Sequence, residues 1–346
     1  MLTRRNPYSD GLLEFVPDRH LVFWRGEIVA KRDRSAEIIG IKTRGGSATN
    51  AAYASYTLDS LKRDWDKLNE NRSVPSDFYL IRAVTILEVF TRARIGMLVD
   101  HDQNYARRAT DLLRDYRIDF DLVQCVYGHT ITLGDIVAHS LQVNSFGQIV
   151  DHFKVLLEFD LSDRLAKAVD RWQTEVEKEP PRPIIPDFAA MAAHLTRMFE
   201  LRHILCHELP KKPVYQRDEI SSFVGHAKTF AHALQEVLNL EMYGLTPLTQ
   251  TEMNIEAAGK LQSKEQELEA LIESIRTEIS WVEGELEALQ LSQDTWKAYR
   301  DAYCEFDTWL NMGGTIRPLL WGGRAQEITE QRIDQLRSWK VFRGSN

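Results

Sequence analysis

The chain has 346 residues, of which 43% are hydrophobic and 27% charged, enough for about two domains with buried cores. Its 43 basic and 51 acidic residues give a net charge of −8, which argues against a protein that coats nucleic acid non-specifically. Three scattered cysteines, Cys125, Cys206 and Cys304, exclude a disulfide scaffold and a four-cysteine zinc site. Neither a signal peptide nor an apolar stretch of membrane-spanning length is visible, so we expect a cytoplasmic protein with no membrane partner.

The first half of the chain predicts an arm followed by helices. Residues 1–50 hold nine basic and six acidic side chains and only short apolar runs, and we expect an irregular or weakly stranded arm. Apolar side chains spaced by three and four predict a helix over 48–71. The next helix, 78–99, is apolar almost all the way round, which is typical of the central helix of a bundle. It carries Glu88 and Arg92 one turn apart.

Periodicity and cap residues predict further helices along the bundle. These are 105–116, 133–143 (opened by a capping box from Thr132 to Asp135), 146–158, 161–172, a helix capped by Asp187 that runs to about Leu209, and 218–243. The segment 175–187 contains four prolines and is expected to be a stiff connector.

The last hundred residues differ in charge and pattern. Apolar side chains from Leu268 to Leu289 follow a heptad seam, and helices are expected over 292–310 and 329–341. Residues 244–346 hold 11 basic and 17 acidic side chains, so −6 of the net charge belongs there. We predict an all-α fold with an arm (1–50), a helical bundle (51–243) and a smaller helical module (244–346).

The densest polar cluster is the segment FELRHILCHEL, residues 199–209. Arg202 falls on the apolar stripe of its helix, where a charge needs a partner or a purpose. His203 and His207 lie one turn apart on an adjacent face. Three interpretations compete: a structural cluster in which Arg202 pairs with Glu88 or another carboxylate, a metal site that adds Glu208 or Cys206 to the histidines, and an RNA-cleaving site.

The segment from Arg202 to His207 resembles the R-x-x-x-x-H motif of the HEPN superfamily, and the resemblance extends over roughly 76–243. It implies an all-α bundle that acts as a dimeric, metal-independent ribonuclease with no cofactor. Arg202 and His207 would be the catalytic pair. The positions of the neighbouring residues suggest that His203 assists His207 or orients the scissile phosphate, and that auxiliary Glu88 holds the Arg202 guanidinium unless Arg92 occupies it instead.

Metal-free cleavage of RNA needs a base, an acid and a fixed cation. Histidine can act as base or acid near neutral pH, and arginine binds phosphate through two donors. Arg202 and His207 are separated by about 140° around one helix, so a single chain cannot easily aim both at one phosphate. We therefore expect a homodimer with a composite active site.

The C-terminal module resembles the lysozyme-inhibitor LprI-like domain. The matching motifs are Thr249-Gln250-Thr251-Glu252-Met253-Asn254, Trp296-x-x-Tyr299-Arg300-Asp301-x-x-Cys304, Gly313-Gly314-Thr315 and Arg332-x-x-x-Leu336. Ile255 and the segment Trp321-Gly322-Gly323 stand where the family has cysteines, so the disulfides of secreted relatives cannot form. The module is either a structural helical hairpin with Trp296 and Tyr299 in its core, or a binding and sensing surface.

The leading functional hypothesis is an endoribonuclease of the toxin or anti-phage defence type, with RNA as substrate. The C-terminal module would sense or restrain it, through an antitoxin or a phage-derived trigger. The alternatives are a non-catalytic HEPN-type interaction or dimerisation protein and an envelope-linked inhibitor.

Overall fold

The structure is a computed structural model that describes residues 21–24, 27–30, 33–44, 54–68, 75–113, 116–208 and 210–344. The predicted all-α class is confirmed, with one short β-hairpin added. The α-helices are α1 Arg34–Thr43, α2 Ala54–Leu68, α3 Ser76–His101, α4 Gln103–Arg108, α5 Phe120–Tyr127, α6 Leu133–Ser140, α7 Phe146–Leu157, α8 Leu161–Lys167, α9 Phe188–His207, α10 Glu219–Tyr243, α11 Gln250–Glu278, α12 Glu285–Asp307 and α13 Arg317–Gly344. None of these helices combines the length and apolar character needed to cross a membrane.

The chain divides into two compact units. The N-terminal unit comprises residues 1–168 and 184–235, and the C-terminal unit comprises residues 169–183 and 236–346. The proline-rich connector contributes to both, and the break between the units falls inside α10. Short 3₁₀ turns, Ala109–Leu113 and Trp309–Asn311, and a π-turn, Trp172–Val176, complete the described elements.

Helix α3 is the centre of the N-terminal unit, as its all-round apolar pattern predicts. Leu80, Leu87 and Leu98 on it are fully buried, and α2, α6, α7 and α9 pack around it. Helix α6 approaches α3 most closely at Gly134, where an added Cβ would lie 2.2 Å from the carbonyl oxygen of Gly96. Glycine at both positions lets the two backbones touch, which fixes α6 against the helix that carries Glu88.

Two expectations for the first half of the chain need correction. The antiparallel hairpin of β1 Leu21–Trp24 and β2 Glu27–Ala30 agrees with the expected weakly stranded arm, but the helix α1 was not expected there. Apart from Asp33 and Arg44, which flank α1, the other residues of 1–50 lie outside the described part. Helix α1 begins at a cap: the Asp33 carboxylate accepts a hydrogen bond from the backbone N–H of Ala36 (2.9 Å).

Helices 105–116 and 161–172 are shorter than predicted. They become α4 followed by a 3₁₀ turn, and α8, which ends at Lys167. Helix α5 was not predicted. Its N-terminus is capped by Asp119, whose carboxylate accepts from the backbone N–H of Leu122 (3.1 Å). The helix is only eight residues long, too short for periodicity to mark it.

The C-terminal unit is a bundle of α11, α12 and α13, and here the predicted heptad helix is wrong. Its seam is interrupted after Glu278, and Gly284 in the left-handed region (φ +81°) opens α12. The Trp281 indole N–H donates to the carbonyl of Arg276 (3.0 Å), which stabilises the turn. Helix α13 also begins twelve residues before the predicted Thr329. The two helices that share the seam therefore form a hairpin that α13 covers.

Candidate functional site

Helix α9 carries the three candidate catalytic side chains. Asp187 caps its N-terminus by accepting a hydrogen bond from the backbone N–H of Ala190 (2.9 Å), as predicted. Its buried stripe comprises Met191, Leu195, Met198, Phe199 and Leu201. The last helical residue is His207, because the chain turns extended at Glu208 ahead of Pro210. The predicted end, Leu209, lies outside the described residues.

Arg202 reaches from α9 to Glu88 on the central helix α3. Its Nη2 lies 3.5 Å from Oε1 of Glu88, and the two side chains are 28% and 12% exposed. The Nε of Arg202 is buried and has no hydrogen-bond partner in the part of the chain that the structure describes. The guanidinium is thus held at the edge of the core by one carboxylate, and its Nε–H has no hydrogen-bond partner there.

Glu88 is a buried carboxyl between two cations. Burial raises its pKa, and the guanidinium groups of Arg202 and then Arg92 oppose that rise. Arg92 makes no ion pair with Glu88, and its Nε instead lies 3.4 Å from the carbonyl oxygen of Leu141. Of the two arginines that the sequence placed near Glu88, Arg202 is the one in contact.

His203 and His207 lie together at the exposed end of α9. Their ring centroids are 4.9 Å apart with an interplanar angle of 48°. Both imidazoles are exposed, as are Cys206 and Glu208 beside them. A substrate can reach these rings from solvent without any movement of the described residues.

A single chain does not bring all the candidate residues together. The structure pairs Arg202 with Glu88 and His203 with His207, but within one described chain Arg202 and His207 share no hydrogen bond or ion pair. Arg202 leans towards α3, whereas His207 projects from the free end of α9. This separation agrees with the helical geometry that predicts two chains for a complete site.

The metal alternative required a third ligand near the two histidines. Among the residues that the structure describes, no group of three or more His, Cys, Asp or Glu side chains is arranged to hold a metal ion. The neighbouring Cys206 and Glu208 therefore do not form such a group with His203 and His207.

Sequence reasoning missed a cavity of about 540 Å³ between α1, α3 and α6. Arg92 lines it, together with side chains of α1 such as Ile38. The sequence marked Arg92 only as a neighbour of Glu88, and α1 fell in the expected arm. Asp33 followed by apolar side chains at 36, 38 and 39 was the signal that could have identified α1.

The motif residues of the C-terminal module surround one buried cation. Arg300 on α12 is 4% exposed. Its Nη1 lies 2.8 Å from Oε1 of Glu265 on α11, and its Nη2 lies 2.8 Å from Oδ1 of Asp301. The guanidinium also sits over the Trp296 ring, 5.3 Å from its centroid.

Other motif residues have separate structural positions. Thr249 and Glu252 form a capping box that opens α11, and the Asn254 side chain donates to the carbonyl of Thr315 (3.0 Å). Trp296 packs against the core as one interpretation predicts, whereas Tyr299 is 57% exposed, so the prediction that it is a core residue is wrong.

The three cysteines are free. Cys304 is fully buried, and burial raises the pKa of its thiol. Most of the quoted C-terminal motif therefore has a structural explanation.

The match to a protein-family model concerns the C-terminal module. Residues 246–336 match the family model described as lysozyme inhibitor LprI, so the chain carries an LprI-like domain at its C-terminus. An uncharacterized protein of Rhizobium meliloti (strain 1021) is 39% identical to the chain over 54 residues, which cover 16% of this chain and 39% of that protein. The match thus spans about two fifths of that relative's length. No solved structure is significantly similar to the chain.

Proposed function

We propose that the N-terminal unit is a metal-independent endoribonuclease of the HEPN type. The observation that carries the proposal is the arrangement on α9: a half-buried Arg202 anchored by Glu88, and two histidines exposed at the helix end. Arg202 would bind the scissile phosphate, His207 would exchange protons with the ribose and the leaving group, and His203 would assist it.

The reaction is an internal transfer at phosphorus. A histidine removes the proton of the ribose 2′-OH, the 2′-oxygen attacks phosphorus, and the bond to the 5′-oxygen breaks. A protonated histidine gives its proton to that leaving oxygen. The products are a 2′,3′-cyclic phosphate and a 5′-hydroxyl, and Arg202 stabilises the charge on the phosphate oxygens throughout.

A homodimer completes the proposed site. Arg202 of one chain and His207 of the second chain would face a common phosphate, since one helix cannot aim both. We further propose that the LprI-like domain senses a trigger or restrains the nuclease, and that the protein acts in the cytoplasm as a toxin or anti-phage effector. A phage-derived molecule or an antitoxin would be its regulatory partner.

The proposal is tested with the purified full chain and labelled RNA in the presence of EDTA. We expect cleavage to continue without divalent metal and to leave cyclic phosphate ends, which resist phosphatase until acid opens them. RNA that stays intact, together with unimpaired growth of cells that overproduce the protein, would contradict it. Cleavage that stops in EDTA would contradict the metal-independent mechanism.

A second candidate is a non-catalytic helical interaction protein. The observation that favours it is the Arg202–Glu88 pair itself, because a purely structural cluster would also satisfy the arginine in this way. Under this second function the wild-type chain does not cleave RNA, whereas under the first its cleavage rate depends on Glu88.

Glu88→Gln separates a positioning role from a structural one. Folding raises the pKa of Glu88, so its protonated form stabilises the folded state. This contribution is complete below pH 4.5, the ordinary pKa, and is lost as the pH rises through the higher pKa of the folded state. Glutamine stays neutral, and Arg202 remains partly solvated, so the variant should be at least as stable as the wild type at pH 7. Its cleavage rate should nevertheless fall by up to about 10²-fold, because Arg202 loses its anchor.

The measurement pairs single-turnover cleavage with urea unfolding at pH 4 and pH 7. Glu200→Gln is the matched control, since Glu200 is an exposed glutamate on α9, two residues before Arg202. Wild-type cleavage by Glu88→Gln would show that the carboxylate does not position Arg202, and that the Arg202–Glu88 pair is structural only.

A further inference from the structure

A cavity of about 540 Å³ lies between α1, α3 and α6 in the N-terminal unit. Its walls are mainly apolar, with Ile38 and Ile41 from α1, Val89, Ala93 and Met97 from α3, and Ala138 from α6. The volume falls in the range of small-molecule sites, and apolar walls with a few polar groups are typical of them. No part of the cavity uses the candidate catalytic residues.

Most polar groups that line the cavity are already engaged. Lys42 Nζ lies 2.6 Å from Oδ2 of Asp135, which also accepts the backbone N–H of Thr132 at 2.9 Å. The Asp100 carboxylate accepts the backbone N–H of Gly134 at 2.8 Å.

His139, which also lines the cavity, has both ring nitrogens in contact. One is 3.0 Å from Oε2 of Glu37, and the other is 3.3 Å from the hydroxyl of Tyr116. These groups shape the cavity and leave little capacity for a ligand.

Arg92 is the cation among them that keeps free donors. Its Nε makes one long hydrogen bond, 3.4 Å to the carbonyl of Leu141, and its two Nη groups have no partner among the described residues. The side chain is half-buried on the cavity wall. A guanidinium with two free, coplanar donors beside an apolar wall fits a carboxylate, which accepts both hydrogen bonds at once.

We propose that this cavity binds a small amphipathic monocarboxylate, with its carboxylate on Arg92 and its apolar body against Ile38, Ile41 and Met97. The charges of Lys42, Arg92, Asp100 and Asp135 sum to zero, and Lys42 is paired with Asp135. Arg92 and Asp100 then balance each other in charge without forming an ion pair, so the Nη donors of Arg92 remain available to one carboxylate. A doubly charged phosphate would bring a second negative charge near Asp100 and Asp135 with no cation to meet it.

The test uses straight-chain ligands of equal length that differ only in the head group. Octanoate, octan-1-ol and octylamine are titrated into the full chain by calorimetry. We expect saturable binding of octanoate, about tenfold or more weaker binding of octan-1-ol, and no binding of octylamine. Only the carboxylate carries a negative charge and accepts two hydrogen bonds from the guanidinium, whereas the ammonium group is repelled by it.

Variants locate the site. Arg92→Gln should weaken octanoate binding about tenfold and leave the binding of octan-1-ol unchanged, whereas Arg82→Gln, an exposed arginine on the same helix, should change neither. Ala93→Leu fills the cavity and should remove binding of both ligands. If Arg92→Gln lowers the yield of folded protein, Ala93→Leu and the comparison of head groups carry the test.

The proposal is overturned by any of three results. These are equal affinities for octanoate and octan-1-ol, octanoate binding that Arg92→Gln or Ala93→Leu leaves intact, and no saturable binding of hexanoate, octanoate or decanoate. RNA cleavage is not read out, so failure of this proposal and failure of the nuclease proposal are distinguishable.

Discussion

Alanine at Arg202 or at His207 is expected to lower the rate of RNA cleavage by about 10²–10⁴-fold while the protein stays folded. His207 is exposed at the end of α9, so its truncation removes little packing. Loss of Arg202 leaves Glu88 without its cation, but that buried carboxyl can take up a proton instead. Single-turnover cleavage of end-labelled RNA measures the effect, and circular dichroism and elution volume verify the fold and the oligomeric state.

Two neighbours on α9 are matched controls. Arg197→Ala removes an arginine whose Nε lies 3.2 Å from Glu219 at the surface, and Cys206→Ser changes the exposed thiol between the two histidines. Both variants should cleave like the wild type, since neither residue has a role in the proposed reaction. Cleavage by Arg202→Ala and His207→Ala at the wild-type rate would refute the proposed active site.

The same two variants test whether the site is shared between chains. A mixed dimer of Arg202→Ala and His207→Ala retains one site with both residues intact if each site takes its arginine and its histidine from different chains. Random mixing should then restore roughly a quarter of the wild-type activity, because half of the dimers are mixed and each has one of two sites. If no activity returns in verified mixed dimers, the arginine and histidine of each site belong to the same chain.

Local signals in the sequence predicted much of the N-terminal unit. Asp187 and the capping box at Thr132 depend on side chains within three residues of the helix start, and both caps are present. The central position of α3 followed from its apolar pattern alone. An arginine on the buried stripe of α9 needs a partner or a purpose, and Glu88, inside the helix whose apolar pattern makes it central, is a candidate partner.

The features that the sequence could not predict arise where packing against distant helices competes with local sequence preferences. The heptad spacing from Leu268 to Leu289 predicts one long helix, but the chain reverses between Glu278 and Glu285. Gly284 and the turn stabilised by Trp281 favour the hairpin, and α13 supplies the surface that buries both arms. The Arg92 cavity could not be predicted from the sequence for a related reason. One of its three walls comes from a helix more than 40 residues earlier in the chain.

Removing both carboxylates around Arg300 is expected to destabilise the C-terminal unit by about 3 kcal/mol. Glu265→Gln with Asp301→Asn leaves a guanidinium that is 4% exposed beside two neutral amides, Thr329 Oγ1 at 3.4 Å and the Trp296 ring, with no negative charge in contact with it. We take the low end of the range for an uncompensated buried charge, because both carboxylates are partly exposed. Hydrogen exchange of peptides from α11–α13 in the full chain measures the change.

A control variant and a compensating substitution test whether the loss of stability comes from the buried charge of Arg300. Asp334→Asn removes an exposed partner that lies 3.9 Å from Arg337, and it should cost less than about 1 kcal/mol. Adding Arg300→Met to the double variant should restore much of the lost stability, because the triple variant buries no charge. If the double variant exchanges like the wild type, Arg300 is solvated or satisfied in another way. The ion pairs of Arg300 with Glu265 and Asp301 would then not be what holds the three helices of this unit together.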